Sequence, residues 1–204
     1  MSDLIGRLPA IPDLRDRCRA LAMLDAILSP DDWGSRRYRY DSRWSAENAL
    51  GSMRDGWGND WFVLFSPVGV YGRNFDQGVP TTLKPLAAVP EEFRGFVEEL
   101  GSGGEEEPIA TAFFWRTHQA AAWQGDAVDE CEAGPFGLLL DCSAGAYRDW
   151  AEEHFEPEQP LDLAAVEHVL ALHPLTPAVV AALNPDTDPE ELAEDLAEIG
   201  FPVT

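Results

Sequence analysis

Two periods of apolar and polar positions run along this chain, and the changes from one to the other mark out its elements. From Asp13 to Leu28, DLRDRCRALAMLDAIL, the residues Leu14, Cys18, Leu21, Met23, Leu24 and Leu28 fall on one broad helical face, with Arg15, Arg17 and Arg19 outside it. Pro12 and Asp13 open this helix, and Ser29-Pro30-Asp31-Asp32 ends it. The period then drops to two. In RRYRYDSRW (36–44), Tyr38, Tyr40 and Trp44 share one face, and Arg37, Arg39, Asp41 and Arg43 share the other, which predicts a half-buried strand.

The densest apolar run is GSMRDGWGNDWFVLFSPVGVYGRNF (51–75). It reads as three consecutive strands, 52–54, 61–65 and 70–75, separated by turns at Asp55–Asn59 and Ser66–Gly69. The middle strand, WFVLF, is apolar at every position, as expected of an interior strand covered on both faces. Residues 91–100, with Phe93, Phe96, Val97 and Leu100 in register, predict a helix that starts after Pro90 and stops at Gly101. Residues 109–117 and 120–124 predict two more strands around a tight turn at 117–119. Residues 136–142 fit either strand or helix. Ser143 is placed to cap a helix over 144–154, with Tyr147, Trp150 and Ala151 inward.

Beyond FEPEQP (155–160) no strand signal remains, and three short helices follow. Asp162 caps the first. Thr176-Pro177 opens the second, and Asn184-Pro185 closes it. Asp188-Pro189-Glu190-Glu191 reads as a capping box for the third, whose stripe is Leu192, Leu196 and Ile199. The pattern as a whole predicts an α+β fold: an antiparallel sheet of five to six strands with flanking helices (1–158), and a helical C-terminal extension packed on it (159–204).

At 204 residues such a core is easily supplied, and no apolar run approaches the length of a membrane span. Three cysteines, Cys18, Cys131 and Cys142, behind a start with no secretory pattern predict reduced thiols and a cytoplasmic location. Thirteen Arg against one Lys point to a GC-rich bacterial genome.

Charge adds what periodicity does not. Acids outnumber bases 37 to 14, for a net charge of −23, and the imbalance is uneven: residues 1–60 hold ten acids and nine Arg, and residues 61–204 hold 27 acids and five bases. Such a field disfavours nucleic acid and anionic lipid and favours basic proteins. Three of the Arg, at 37, 39 and 43, stand on one strand face. They are either paired internally with carboxylates, the simpler reading, or form an anion or partner stripe.

Candidate chemistry is sparse. The spacings of Cys131, Cys142 and His154, and of His168 and His173, match no zinc pattern, and the latter two fall on different helix faces. There is no Gly-x-Ser-x-Gly, Rossmann or P-loop fingerprint, and GSGGEEEP (101–108) lacks the Lys of a phosphate cradle. Asp141 and Asp149 disfavour a thiolate at Cys142. No cofactor, metal or catalytic residue is expected.

The runs RYRYDSRW, GSMRDGWGNDWFVLFSPVGVYGRNFD, AFFWRTHQAAAWQGD and YRDWAEEHFE, which span about 36–155, resemble small acidic bacterial proteins of the immunity type that accompany secreted toxins. The arrangement is similar to the SUKH superfamily of α+β immunity proteins, in which an apolar-aromatic strand-turn-strand follows an N-terminal helix. The resemblance implies a non-enzymatic inhibitor that occludes a basic toxin by charge complementarity and aromatic anchors. The expected partner-binding residues are Trp57, Asp60, Glu105, Glu106, Glu107, Asp126, Asp129, Glu130 and Glu132. For Trp57 itself, packing against the fold is the default, because Trp is highly buried on average. Two alternatives stay open: a hydrolase or ligand-binding domain with a deep pocket of Trp, carboxylates and a His or Cys, and a structural subunit with an apolar patch on the tail helices.

Overall fold

The computed structural model describes residues 4–100, 108–128 and 134–203. Among these, six strands form one antiparallel sheet, each paired with the next in sequence: β1 (Tyr38–Asp41), β2 (Ala49–Arg54), β3 (Asp60–Phe65), β4 (Gly69–Phe75), β5 (Ala112–Thr117) and β6 (Gln124–Ala127). β3 carries the WFVLF run, and both its faces are covered. Trp61, Val63 and Phe65 enter the larger core, built on the long helix α1 (Ile11–Leu28). Phe62 and Leu64 enter a smaller core on the other face, closed by Phe93 and Val97 of the helix Glu91–Glu99. The expected α+β architecture is the one observed.

In chain order the helices after α1 are α2 (Pro85–Ala88), α3 (Glu91–Glu99), α4 (Gly137–Leu140), α5 (Ala144–Phe155), α6 (Leu163–Leu170), α7 (Pro177–Leu183) and α8 (Ala193–Ile199). α1 is the hub. It packs on β1 and β2 and carries α6, α7 and α8. Leu161, Val166, Val169, Val180, Leu183, Ile199 and Phe201 of the tail lie in the same buried cluster as Leu14, Leu21 and Leu24 of α1. Polar ties reinforce this packing: Asn184 Nδ2 and Thr187 Oγ1 both donate to the Ile27 carbonyl, at 3.1 and 2.8 Å.

Several boundaries differ from expectation, each for a local reason. β1 ends at Asp41, because Asp41 Oδ1 accepts from Arg43 N–H at 2.8 Å and Ser42 N–H donates to the Glu198 carbonyl. The chain thus turns toward α8, and Trp44 is half-buried outside the strand. β6 lies at 124–127 instead of 120–124. The connection before it is held in place: Arg116 Nε donates to the Ala120 carbonyl, and Trp123 Nε1 to that of Pro9 at 2.7 Å. Residues 136–142, open between strand and helix, form a 3-10 turn (Gly134–Phe136) and α4, which bury Phe136 and Leu139. In the tail, Asp188 Oδ1 accepts from Glu190 N–H in a tight turn, and α8 begins only at Ala193. α2 is too short to leave a period in the sequence.

Candidate functional site

The strand register brings the β2–β3 turn, the start of β3, the end of β4, the start of β5 and the end of β6 to one end of the sheet. Arg54 is opposite Asp60, Asp60 opposite Phe75, Asn74 opposite Ala112, and Ala112 opposite Ala127. Beyond them, Val128 N–H bonds the Thr111 carbonyl and Thr111 N–H bonds that of Asn74. Of the predicted partner-binding residues, Trp57, Asp60 and Asp126 lie at this end. Glu105, Glu106, Glu107, Asp129, Glu130 and Glu132 fall outside the described residues.

Trp57 does not pack home. It is 79% exposed, the highest value among the exposed large apolar side chains of the described residues. Its turn is nevertheless tightly organised. Asp55 Oδ1 accepts from the N–H groups of Trp57 (2.7 Å) and Asn59 (3.1 Å), and Asn59 Nδ2 donates to Asp55 Oδ2 at 2.5 Å. Asn59 Oδ1 accepts from Gln77 N–H at 2.8 Å, which pins the turn to the segment after β4. Gly56 and Gly58 adopt φ of 77° and 99°, the left-handed region that lets the chain double back around Trp57. An exposed Trp on a turn fixed by its own hydrogen bonds loses little conformational freedom on binding.

Asp60 is not available in the same way. It forms an ion pair with Arg73 at 2.8 Å, and Arg73 also donates to the Ile109 carbonyl and lies over the Phe62 ring. Burial raises the Asp60 carboxyl pKa, opposed by Arg73. Asp60 is thus half-buried and tied into the sheet by this pair. Asp126 is exposed, on the edge strand β6.

Beside the turn lies a cleft of about 710 Å³. Its polar lining includes Asp55, Asn59, Asp76 and Asp141 with Arg7 and Arg37, and its apolar lining includes Tyr38, Met53 and Trp150. Among the described residues, no His or Cys lines it. Among the described residues, Arg37, Arg39 and Arg43 form no close ion pair: Arg39 donates to the Trp33 carbonyl and Arg43 to that of Ala197. The neighbouring Arg36 makes the buried ion pair, with Asp195.

Three histidines are tied to the backbone, and the two described thiols are shielded. His118, His154 and His168 each bond a backbone carbonyl, those of Ser66, Ser35 and Pro174. Burial pushes the Cys142 thiol up to about 11 and the Cys18 thiol further, so neither is a thiolate near neutrality. His168 and His173, expected on different faces, have rings 5.2 Å apart, because α6 ends at Leu170 and His173 N–H folds back onto the His168 carbonyl. Among the described residues, no group of three or more His, Cys, Asp or Glu is arranged to hold a metal ion, and no helix is long and apolar enough to cross a membrane. Comparison with known protein families, curated proteins and solved structures found no match.

Proposed function

We propose that the protein is an acidic protein-binding module whose partner is a basic protein, and that it acts as an immunity-like inhibitor by occluding a toxin surface. The observation that carries this reading is the exposed Trp57 on its pre-ordered turn, whose Asp55 also lines the adjoining cleft with Asp76. A solvated Trp on a hydrogen-bonded turn, carried by a strongly acidic chain, is the composition of an interface anchor for a cationic surface. The field agrees in sign, since residues 61–204 carry 27 acids against five bases. The adjoining cleft holds three carboxylates, Asp55, Asp76 and Asp141, against two guanidiniums, Arg7 and Arg37, beside apolar Tyr38, Met53 and Trp150.

A hydrolase reading has less support. The cleft brings carboxylates together with Trp150 but, among the described residues, no His or Cys. A structural-subunit reading fares no better, because the exposed large apolar residues Trp33, Trp57, Val68, Leu163 and Val203 are scattered, with no concentration on the tail.

The test is co-purification from source cells with the wild-type chain and Trp57→Ala as parallel baits, at low and high salt. A basic protein should be retained by the wild type at low salt and lost with the variant or with salt. Equal recovery by both baits, or no basic protein with either, would contradict the reading.

A further inference from the structure

At the opposite end of the sheet the charge balance inverts. A cleft of about 530 Å³ is lined by Arg15, Arg19, Arg116 and His118, with Asp16 as its one carboxylate. Three guanidiniums at one mouth are notable in a chain with 37 acids and 14 bases. Internal pairing with a carboxylate accounts for one of the three. Arg19 is engaged, donating to the Gly200 carbonyl and lying 3.5 Å from Asp16. Arg116 uses Nε on the Ala120 carbonyl and rests over Trp123, with no carboxylate within ion-pair distance among the described residues. Arg15 lies over the Phe65 ring at 5.0 Å, and its Nε is buried with no hydrogen-bond partner. His118 Nε2 is bonded to the Ser66 carbonyl, which leaves Nδ1 outside that bond.

The backbone adds to the same sign. Ala10 and Ile11, at the start of α1, also line the cleft, and Ala10 provides no side-chain cap for the helix. The dipole of an 18-residue helix therefore points its positive end into a site already rich in guanidinium.

We infer that this cleft binds a tetrahedral oxyanion of the phosphate class, held by Arg15, Arg116 and Arg19 at the start of α1. Planar guanidinium groups match phosphate oxygens in pairs. The cleft has room for a small organic group beyond the anion. The site lies at the Ser66–Gly69 end of the sheet, away from the Trp57 turn, and does not depend on the partner-binding reading.

The experiment is an NMR titration of the full chain, following backbone amides and arginine Nε–H signals, with inorganic phosphate, glycerol 2-phosphate, and sodium chloride at matched ionic strength. Phosphate should give saturable shifts at Ile11, Arg15 and Arg116 that chloride does not reproduce. Tighter binding of glycerol 2-phosphate would assign the site to a phosphate ester, and equal or weaker binding to the free anion. Arg15→Gln and Arg116→Gln should each weaken binding about tenfold, with the spectrum of the distant β2–β3 turn unchanged as the check on folding. Trp57→Ala should bind phosphate like the wild type. Shifts no larger than those with chloride, or variants at Arg15 and Arg116 that bind undiminished, would overturn the inference.

Discussion

Asp25 and Tyr147, 122 positions apart, meet in the core, where the Tyr147 hydroxyl donates to Asp25 Oδ1 at 2.8 Å. The other carboxylate oxygen, Oδ2, accepts from the N–H groups of Arg37 and Tyr38 at 2.8 and 2.9 Å. One fully buried side chain on α1 thus positions the entry to β1 and the face of α5. Burial raises the Asp25 carboxyl pKa to about 7, opposed by these hydrogen bonds and by Arg36. In the unfolded chain it titrates near about 4. Between about pH 4 and pH 7 the folded state therefore holds a proton that the unfolded chain has released, and this group's contribution to stability falls as pH rises through that window and is flat above it. Asp25→Asn should remove this part of the slope, as read from urea unfolding at about pH 5 and about pH 7.5. Tyr147→Phe, which leaves a buried acceptor short of a donor, should destabilise by about 1–3 kcal/mol. An unchanged slope in Asp25→Asn would contradict this account.

The tail is tied to the domain by charge as well as by apolar contact. Arg36, 5% exposed, donates from Nη1 to Asp195 Oδ1 at 2.5 Å, and also to the carbonyls of Ser29 and Pro30. Removing one partner of a buried pair strands the other, so Asp195→Ala should destabilise by about 3 kcal/mol. Because tail and α1 share one core, the wild type should unfold in a single calorimetric transition. A separate early transition for the tail would show that the extension is held more loosely than its packing implies.

Two glycines make opposite predictions. Gly72 sits on β4 against the Phe114 ring of β5, and a Cβ there would stand 2.2 Å from Cζ. Gly72→Ala should destabilise by about 1–3 kcal/mol, because the ring must leave a packed position. Gly95 lies on the exposed side of α3 with nothing within 4 Å of a Cβ. Gly95→Ala should stabilise by about 0.5–1 kcal/mol through helix propensity. Melting curves of the two variants would decide both.

What the sequence revealed was periodic and local. Trp61–Phe65 announces a strand covered on both faces, and the caps at Ser143, Asp162 and Thr176 each accept from the N–H three residues on, as their positions imply. What it hid was long-range. The partners of Asp25 and Arg36 lie 122 and 159 positions away, and no local pattern marks either as buried. Asp60 looked like a free surface acid because its partner, Arg73, is reached only through the β3–β4 register. The site was half legible. The turn at Asp55–Asn59 was evident from its glycines, but the average burial of Trp argued the wrong way for Trp57. The basic cleft escaped notice because Arg15 and Arg116 are joined only by the packing of α1 on the sheet.

The central claim rests on Trp57, and site-specific photo-crosslinking tests it most directly. A benzophenone-bearing phenylalanine placed at position 57, and at the exposed position 163 on α6 as a control, would be irradiated in source cells. Crosslinked species would then be identified by mass spectrometry, and the partner purified for binding measurements. The account predicts a basic protein joined through position 57 and not through 163. It further predicts binding that weakens with salt and loses about 2 kcal/mol or more in Trp57→Ala, while the stability of that variant stays within about 0.5 kcal/mol of wild type. No crosslink at 57, an acidic partner, or an affinity indifferent to both Trp57 and salt would contradict it.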